Sequence, residues 1–300
     1  MISQQRVAGG SGRCAAGGRA RGAAPLSAAR QRTRTVRVRA GVVVPGDTVL
    51  VAGATGGVGQ IVTAKLLERG YKVRALTRRA GRARELFGDH PNLTPAEGDC
   101  RDPASLAAAV AGVDAVCCCT GTTAFPSKRW QGGNGPRETD LEGTGNLIAA
   151  APRSLKRFVF VTSAGVEREG EFPWIVLNAF GVLTFKRQSE LALVQSGIPY
   201  TLLRPSRLTD GPYTSYDLNT LLKATSGGKR EVVLSPNDDL KGQASRIVVA
   251  EAAVQALAAA EAEGRAFAIE SVEGAGPGED AAAWAARFAA CAPAAAGARR

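Results

Sequence analysis

Three hundred residues, 45% of them hydrophobic, are enough for one large α/β domain with a sizeable core, and the length does not demand a second domain. The formal charge of +11 suggests a polyanion partner until it is located: residues 1–40 hold nine arginines and no carboxylate, which leaves 29 basic against 27 acidic residues elsewhere. The body is thus close to neutral, and no nucleic-acid partner is expected of it.

Residues 1–40 are rich in Ala, Gly, Ser and Arg, lack an apolar core segment, and read as an organelle transit peptide. A chloroplast address is the first reading and a mitochondrial one the alternative. A basic arm that stays attached is the competing account of the same residues. The body, residues 45–272, alternates short β-branched runs with longer Ala/Leu segments, the pattern of βα units around a parallel sheet with helices on both faces. The spacing predicts a buried strand over Thr48–Ala52, a helix over Val58–Arg69 and a second strand over Lys72–Thr77. After a short third strand, Asp102 caps a helix with Pro103 in its first position that runs through Ala111.

Ala115–Cys119 reads as a fourth strand, 120–137 as a loop, Thr139–Ala150 as a helix and Arg157–Thr162 as a fifth strand. Trp174–Ser196 is expected to be mostly helical, followed by a sixth strand at Tyr200–Arg204. Residues 205–245 look irregular and suit a small substrate lid. A helix over Ile247–Glu261 leads into a last strand, Ala266–Glu270. In the Ala-rich tail, residues 273–300, Trp284 and Phe288 at a spacing of four suggest one docking helix. No stretch approaches about 18 continuous apolar residues, so no spanning helix is predicted, while peripheral membrane association stays open. The six cysteines form no C-x2-C pair and His90 is the only histidine, a composition that offers neither a metal site nor a disulfide framework. Cys117, Cys118 and Cys119 read as small apolar strand residues.

The chemistry concentrates after the first strand. Gly53-Ala54-Thr55-Gly56-Gly57-Val58-Gly59 follows Val-Leu-Val and opens an amphipathic helix, the context in which a glycine cluster cradles a dinucleotide pyrophosphate. Gly53 and Gly56 permit a tight turn and close approach, Gly59 lets helix and strand pack, and the N–H groups of the helix start meet the anion. The second strand ends in Arg78-Arg79 where a carboxylate would favour a free ribose 2′-hydroxyl, so NADP(H) is preferred over NAD(H), with Arg78 favoured above Arg79 as the 2′-phosphate contact. Asp99 stands where an acceptor meets the adenine amino group. Cys100, Cys119, Thr120, Gly121, Thr162 and Pro205, at the ends of later strands, complete the expected cofactor lining.

These residues resemble the atypical branch of the short-chain dehydrogenase/reductase superfamily, specifically its plant and algal NmrA-like, Tic62-like members, over roughly Thr48–Glu270. The resemblance rests on the glycine turn, Gly98-Asp99-Cys100-Arg101-Asp102, Thr162-Ser163, Lys186 followed by Glu190, and the run from Ser196 to Pro205. The stretches 120–130 and 208–223 look like a plastid subgroup without a defined reaction. What the resemblance implies is hydride transfer between a nicotinamide and a carbonyl or alcohol. Ser163 stands at the position of the serine that bonds the reacting oxygen, and Lys186 at that of the lysine that holds the nicotinamide ribose. The family's tyrosine, four residues before the lysine, is Val182 here, and no Y-x-x-x-K occurs in the chain. Valine carries no exchangeable proton, so Tyr213 or Tyr216, in the lid, would have to substitute. Two functions follow: an NADPH-dependent plastid oxidoreductase acting on a small molecule, or a non-catalytic NADP(H)-binding scaffold for assembly or regulation of photosynthetic proteins through a plastid protein partner.

Overall fold

The computed structural model describes residues 41–209 and 230–291. Eight strands form one sheet in the order β3-β2-β1-β4-β5-β6-β10-β8. β1 (Thr48–Ala52), β2 (Lys72–Thr77), β3 (Leu93–Glu97), β4 (Ala115–Cys118), β5 (Arg157–Val161), β6 (Tyr200–Pro205) and β10 (Arg265–Val272) run parallel, and β8 (Glu231–Ser235) pairs antiparallel with β10 at one edge. A second pair, β7 (Arg207–Leu208) and β9 (Gln243–Ala244), stands apart from it. The fold is the expected doubly wound one, and its order reverses between β1 and β4, where ligands of open α/β sheets bind.

Both faces of the sheet are covered at its centre, which is why β1, β4 and β5 read as nearly continuous apolar runs. Side chains alternate across the pleat: Val49 and Val51 enter one apolar cluster, Leu50 and Ala52 the other. The first cluster is completed by α1 (Gly57–Glu68), α7 (Arg246–Ala258) and α8 (Ala281–Ala290), the second by α3 (Pro103–Val110), α4 (Thr144–Ala150) and α6 (Val182–Ser196). The Asp102 carboxylate accepts the Ala104 N–H and caps α3 as its sequence predicts.

One expectation needs correction and two gain detail. The segment 205–245 is not irregular throughout, since β8 extends the main sheet; an antiparallel edge strand needs no crossover helix, and its run of two valines and a leucine is too short to stand out from the polar residues around it. The segment 174–196 is mostly helical, as expected, in two pieces, α5 (Trp174–Leu177) and α6, parted where Gly181 takes a φ of +78° and the Asn178 side chain accepts the N–H groups of Leu183 and Thr184, capping the second helix. The helix expected over 139–150 begins with a π-helical stretch, Arg137–Gly143, before α4. A short helix, α2 (Ala80–Phe87), follows β2 where the sequence pattern showed only charge.

The docking helix of the Ala-rich tail is present as α8. Trp284 and Phe288 are buried, with ring centroids 5.6 Å apart, and Phe288 lies 5.0 Å from the Phe267 ring of β10. Truncating Phe288 to Ala leaves a cavity against the sheet, and F288A is expected to lose about 3–5 kcal/mol of stability, read as a lowered denaturation midpoint; an unchanged midpoint would show that α8 is a peripheral appendage.

Candidate functional site

The end of β1 and the end of β4 converge at the switch point. Gly53, just past β1, has a φ of +76°, and a β-carbon there would come within 2.9 Å of the Cys119 carbonyl oxygen beyond β4. The Gly56 N–H donates to the Gly53 carbonyl at 2.9 Å, closing the turn, and α1 starts at Gly57. A β-carbon on Gly59 would lie 2.1 Å from that same carbonyl, so only glycine lets the first turn of α1 seat on the strand end. No side chain caps α1 and no acidic residue stands in its first turn. A bare helix start in a cradle that side chains would fill fits a diphosphate, whose charge is favoured by the N–H groups and the helix dipole. Thr55 contributes its carbonyl to the Gln60 side-chain amide at 2.7 Å, and Val58 faces the core.

Arg246, at the start of α7, is a residue that the sequence reading missed. It is buried, and its Nε would stand 3.0 Å from a β-carbon on Gly57, so the absent side chain of Gly57 makes room for it. Nothing in the local pattern around 246 points to the glycine turn, because the approach is created by the packing of α7 on α1.

At the expected adenosine end, Arg78 and Arg79 are exposed; the Arg78 guanidinium donates to the Asn134 side chain at 2.9 Å, and Arg79 directly precedes α2. The Asp99 carboxylate is held by Arg101, whose Nη2 lies 2.6 Å from Oδ2, and this guanidinium keeps the carboxyl below the usual carboxylate range. Arg101 also donates to the Gly132 and Gly133 carbonyls, so two arginines tether the 120–137 loop over the ends of β2 and β3. Cys100 lies under this region, where the Asn146 side chain donates to its carbonyl. The thiols of Cys100, Cys117, Cys118 and Cys119 are all pushed up by burial, which keeps them protonated and inert; Cys118 Sγ lies 3.2 Å from Thr120 Oγ1.

At the other end, β5 and β6 deliver Thr162, Ser163 and Pro205. The Thr162 hydroxyl donates to Glu190 of α6 at 2.7 Å, and Arg204 grips the same carboxylate at 2.8 Å and 3.1 Å; burial of all three locks α6 onto the strand ends. Ser163 donates to the Ala164 carbonyl at 3.0 Å, and the Pro205 carbonyl accepts the Ala164 N–H at 2.9 Å. Lys186, four residues before Glu190 and so on the same helix face, is buried and donates to Asp140 at 2.7 Å. Asp140, only 1% exposed, sits on the π-helical stretch, and burial raises its carboxyl above the usual range while Lys186 pulls it back. Val182, in the tyrosine's place, is buried with Trp174, Ala164, Val166 and Leu183, so the space beside Lys186 that a phenol would use is a packed apolar cluster. Tyr213 and Tyr216 lie outside the described residues.

Among the described residues no three His, Cys, Asp or Glu gather as for a metal ion, and no helix is long and apolar enough to cross a membrane. The sequence profile of the NAD(P)H-binding family matches residues 53–260. The chloroplastic protein TIC 62 of Arabidopsis thaliana is 34% identical over 225 residues, covering 68% of this chain, which in turn spans 32% of that longer protein. Sanguinarine reductase of Eschscholzia californica is 30% identical over 259 residues, 73% of this chain and 87% of the reductase. In structure, the chain is similar to a short-chain dehydrogenase/reductase of Veillonella parvula solved in complex with NADP, with a TM-score of 0.55 at 22% identity over 78% of this chain and 96% of that one. The glycine turn, the strand order and these likenesses agree: the chain belongs to the NAD(P)H-binding family and carries it on a Rossmann-type fold.

Proposed function

We propose that this chain is a plastid NADP(H)-binding oxidoreductase that reduces a small carbonyl compound or conjugated double bond. The observation that carries the reading is the pairing, across one switch point, of an uncapped α1 start in a glycine cradle with a buried lysine ammonium at the ends of β4 and β5. The dinucleotide would lie across the strand ends, with its adenosine near Arg78 and Asp99, its diphosphate at Gly53–Gly59, and its nicotinamide half near Thr120, Gly121, Thr162, Ser163 and Lys186. When bound, the reduced nicotinamide supplies a hydride. Lys186 and Ser163 then serve to polarise the acceptor oxygen, Lys186 as a charge held in place by Asp140 and Ser163 as a hydroxyl that turns from the Ala164 carbonyl. The Arg-rich first 40 residues and a chloroplastic relative support the plastid address.

The second reading, a redox-responsive NADP(H)-binding scaffold that engages a plastid protein partner, is favoured by Val182: a packed apolar residue replaces the usual proton donor. Incubation with NADPH and a plastid metabolite extract separates the two. As an oxidoreductase, the protein oxidises NADPH with some fraction of that extract, and S163A and K186M each slow the reaction by about 10²-fold or more while NADPH still binds. No oxidation with any fraction, together with a partner captured only in the presence of NADPH, would favour the scaffold. For the cofactor preference, R78A is expected to weaken NADPH about tenfold and to leave NADH unchanged, as calorimetry would read; equal effects on both would remove Arg78 from the 2′-phosphate.

A further inference from the structure

Outside the ion-paired part of the site, three aromatic rings gather on one surface. Phe125 and Trp130 lie in the 120–137 loop after β4, and Phe180 on the turn between α5 and α6. The Phe180 ring makes edge-to-face contact with both others, at centroid distances of 6.2 Å to Phe125 and 5.5 Å to Trp130. Phe125 and Phe180 nevertheless remain 45% and 46% exposed. The loop braces the set: the Trp130 indole N–H donates to the Thr123 carbonyl and hydroxyl, both at 3.1 Å, and that hydroxyl donates to the Phe125 carbonyl at 2.9 Å. With the indole N–H satisfied, what the three rings offer a ligand is apolar surface.

Both elements lead back to the ends of β4 and β5. Gly121 stands beside Lys186, where its β-carbon would lie 3.0 Å from Nζ. Phe125 follows four residues later, at most about 14 Å along an extended chain. On the other side Val182 is one helical turn before Lys186, roughly 6 Å along the axis, and Phe180 precedes Val182 by two residues. The ground between is apolar and its side chains are small: Ala164, next to Ser163, packs in one cluster with Val182 and Ala124. A contiguous exposed apolar surface marks a binding site, and this one continues into the proposed reaction centre. Ring faces and edges favour a flat ring system over a puckered one, because only the flat one stacks or meets them edge-on.

We propose that Phe125, Trp130 and Phe180 form a shelf that binds the hydride acceptor, and that this acceptor is a flat, apolar, ring-bearing carbonyl or conjugated compound. Its rings rest on the shelf while its reacting oxygen points to Ser163 and Lys186. This rests on the oxidoreductase reading above and goes beyond it by naming the substrate class. The shelf binds and selects, and takes no part in hydride or proton transfer. Because Thr123 already braces the rings, little ordering is needed when the substrate arrives.

Reduction of three aldehydes by NADPH tests this on the full chain: 2-naphthaldehyde, which is flat; cyclohexanecarbaldehyde, which is apolar and puckered; and propanal, which has no ring. The expected order of kcat/KM puts 2-naphthaldehyde first, about tenfold above cyclohexanecarbaldehyde. F125A and F180A each lower the ratio of 2-naphthaldehyde to propanal about tenfold, through KM, and F180Y retains it. An unchanged NADPH affinity reports that each variant is folded. A readout without turnover comes from Trp130, which is partly exposed while Trp174 and Trp284 are buried. In the presence of NADP+, 2-naphthaldehyde quenches the tryptophan emission saturably, and W130F loses most of that quenching. A ratio that survives F125A and F180A, or equal use of the flat and the puckered aldehyde, would overturn the shelf. The oxidoreductase reading would then stand, and the rings would fall to a macromolecular partner. No reduction of any of the three, with or without quenching, would overturn the substrate class, and the extract assay above then decides the oxidoreductase reading by itself.

Discussion

Everything in this molecule is arranged around one close contact, the seating of the first turn of α1 on the Gly53 carbonyl. The contact is possible because Gly59 has no side chain, and it has two consequences. It brings the N–H groups of a helix start to the strand ends, and the glycines there add no side chain of their own between those groups and an anion. The sheet supports this geometry from both sides, since β1 is central and buried on both faces.

From that point the site extends in two directions with different physics. Toward β2 and β3 it is exposed and cationic, built from arginines that also tether the 120–137 loop. Toward β5 and β6 it is buried and ion-paired. There α6 is held by Glu190, which satisfies Thr162 and Arg204 together, and the same helix face one turn earlier presents Lys186 to Asp140. Removing one member of such a buried network leaves a charge unpaired, which is why these positions are coupled rather than independent. Four residues before Lys186 this chain packs Val182 against Trp174, and the buried polar groups of this half include the lysine and its carboxylate.

The parts of this arrangement visible in the sequence are those set by local chemistry. The β1 and β2 runs, the Asp102-Pro103 cap and the glycine turn each depend on residues near in the chain, and the predicted bounds of β1 and β2 coincide with those observed. What stayed hidden depends on distant packing. Arg246 meets Gly57 only because α7 lies along α1, and β8 is a strand only because β10 offers it an edge. Asp140 left a faint trace: it shares the apolar face of its helix with Thr144, Leu147 and Ile148, where a carboxylate requires a buried cation. The π-helical turn that carries it has no marker in the residue pattern.

Isothermal titration of the chain freed of residues 1–40 with NADPH and with NADH tests the central claim most directly. The account predicts saturable one-to-one binding of at least one of them, with NADPH the tighter; the absence of binding heat for both across a range of temperatures would contradict it.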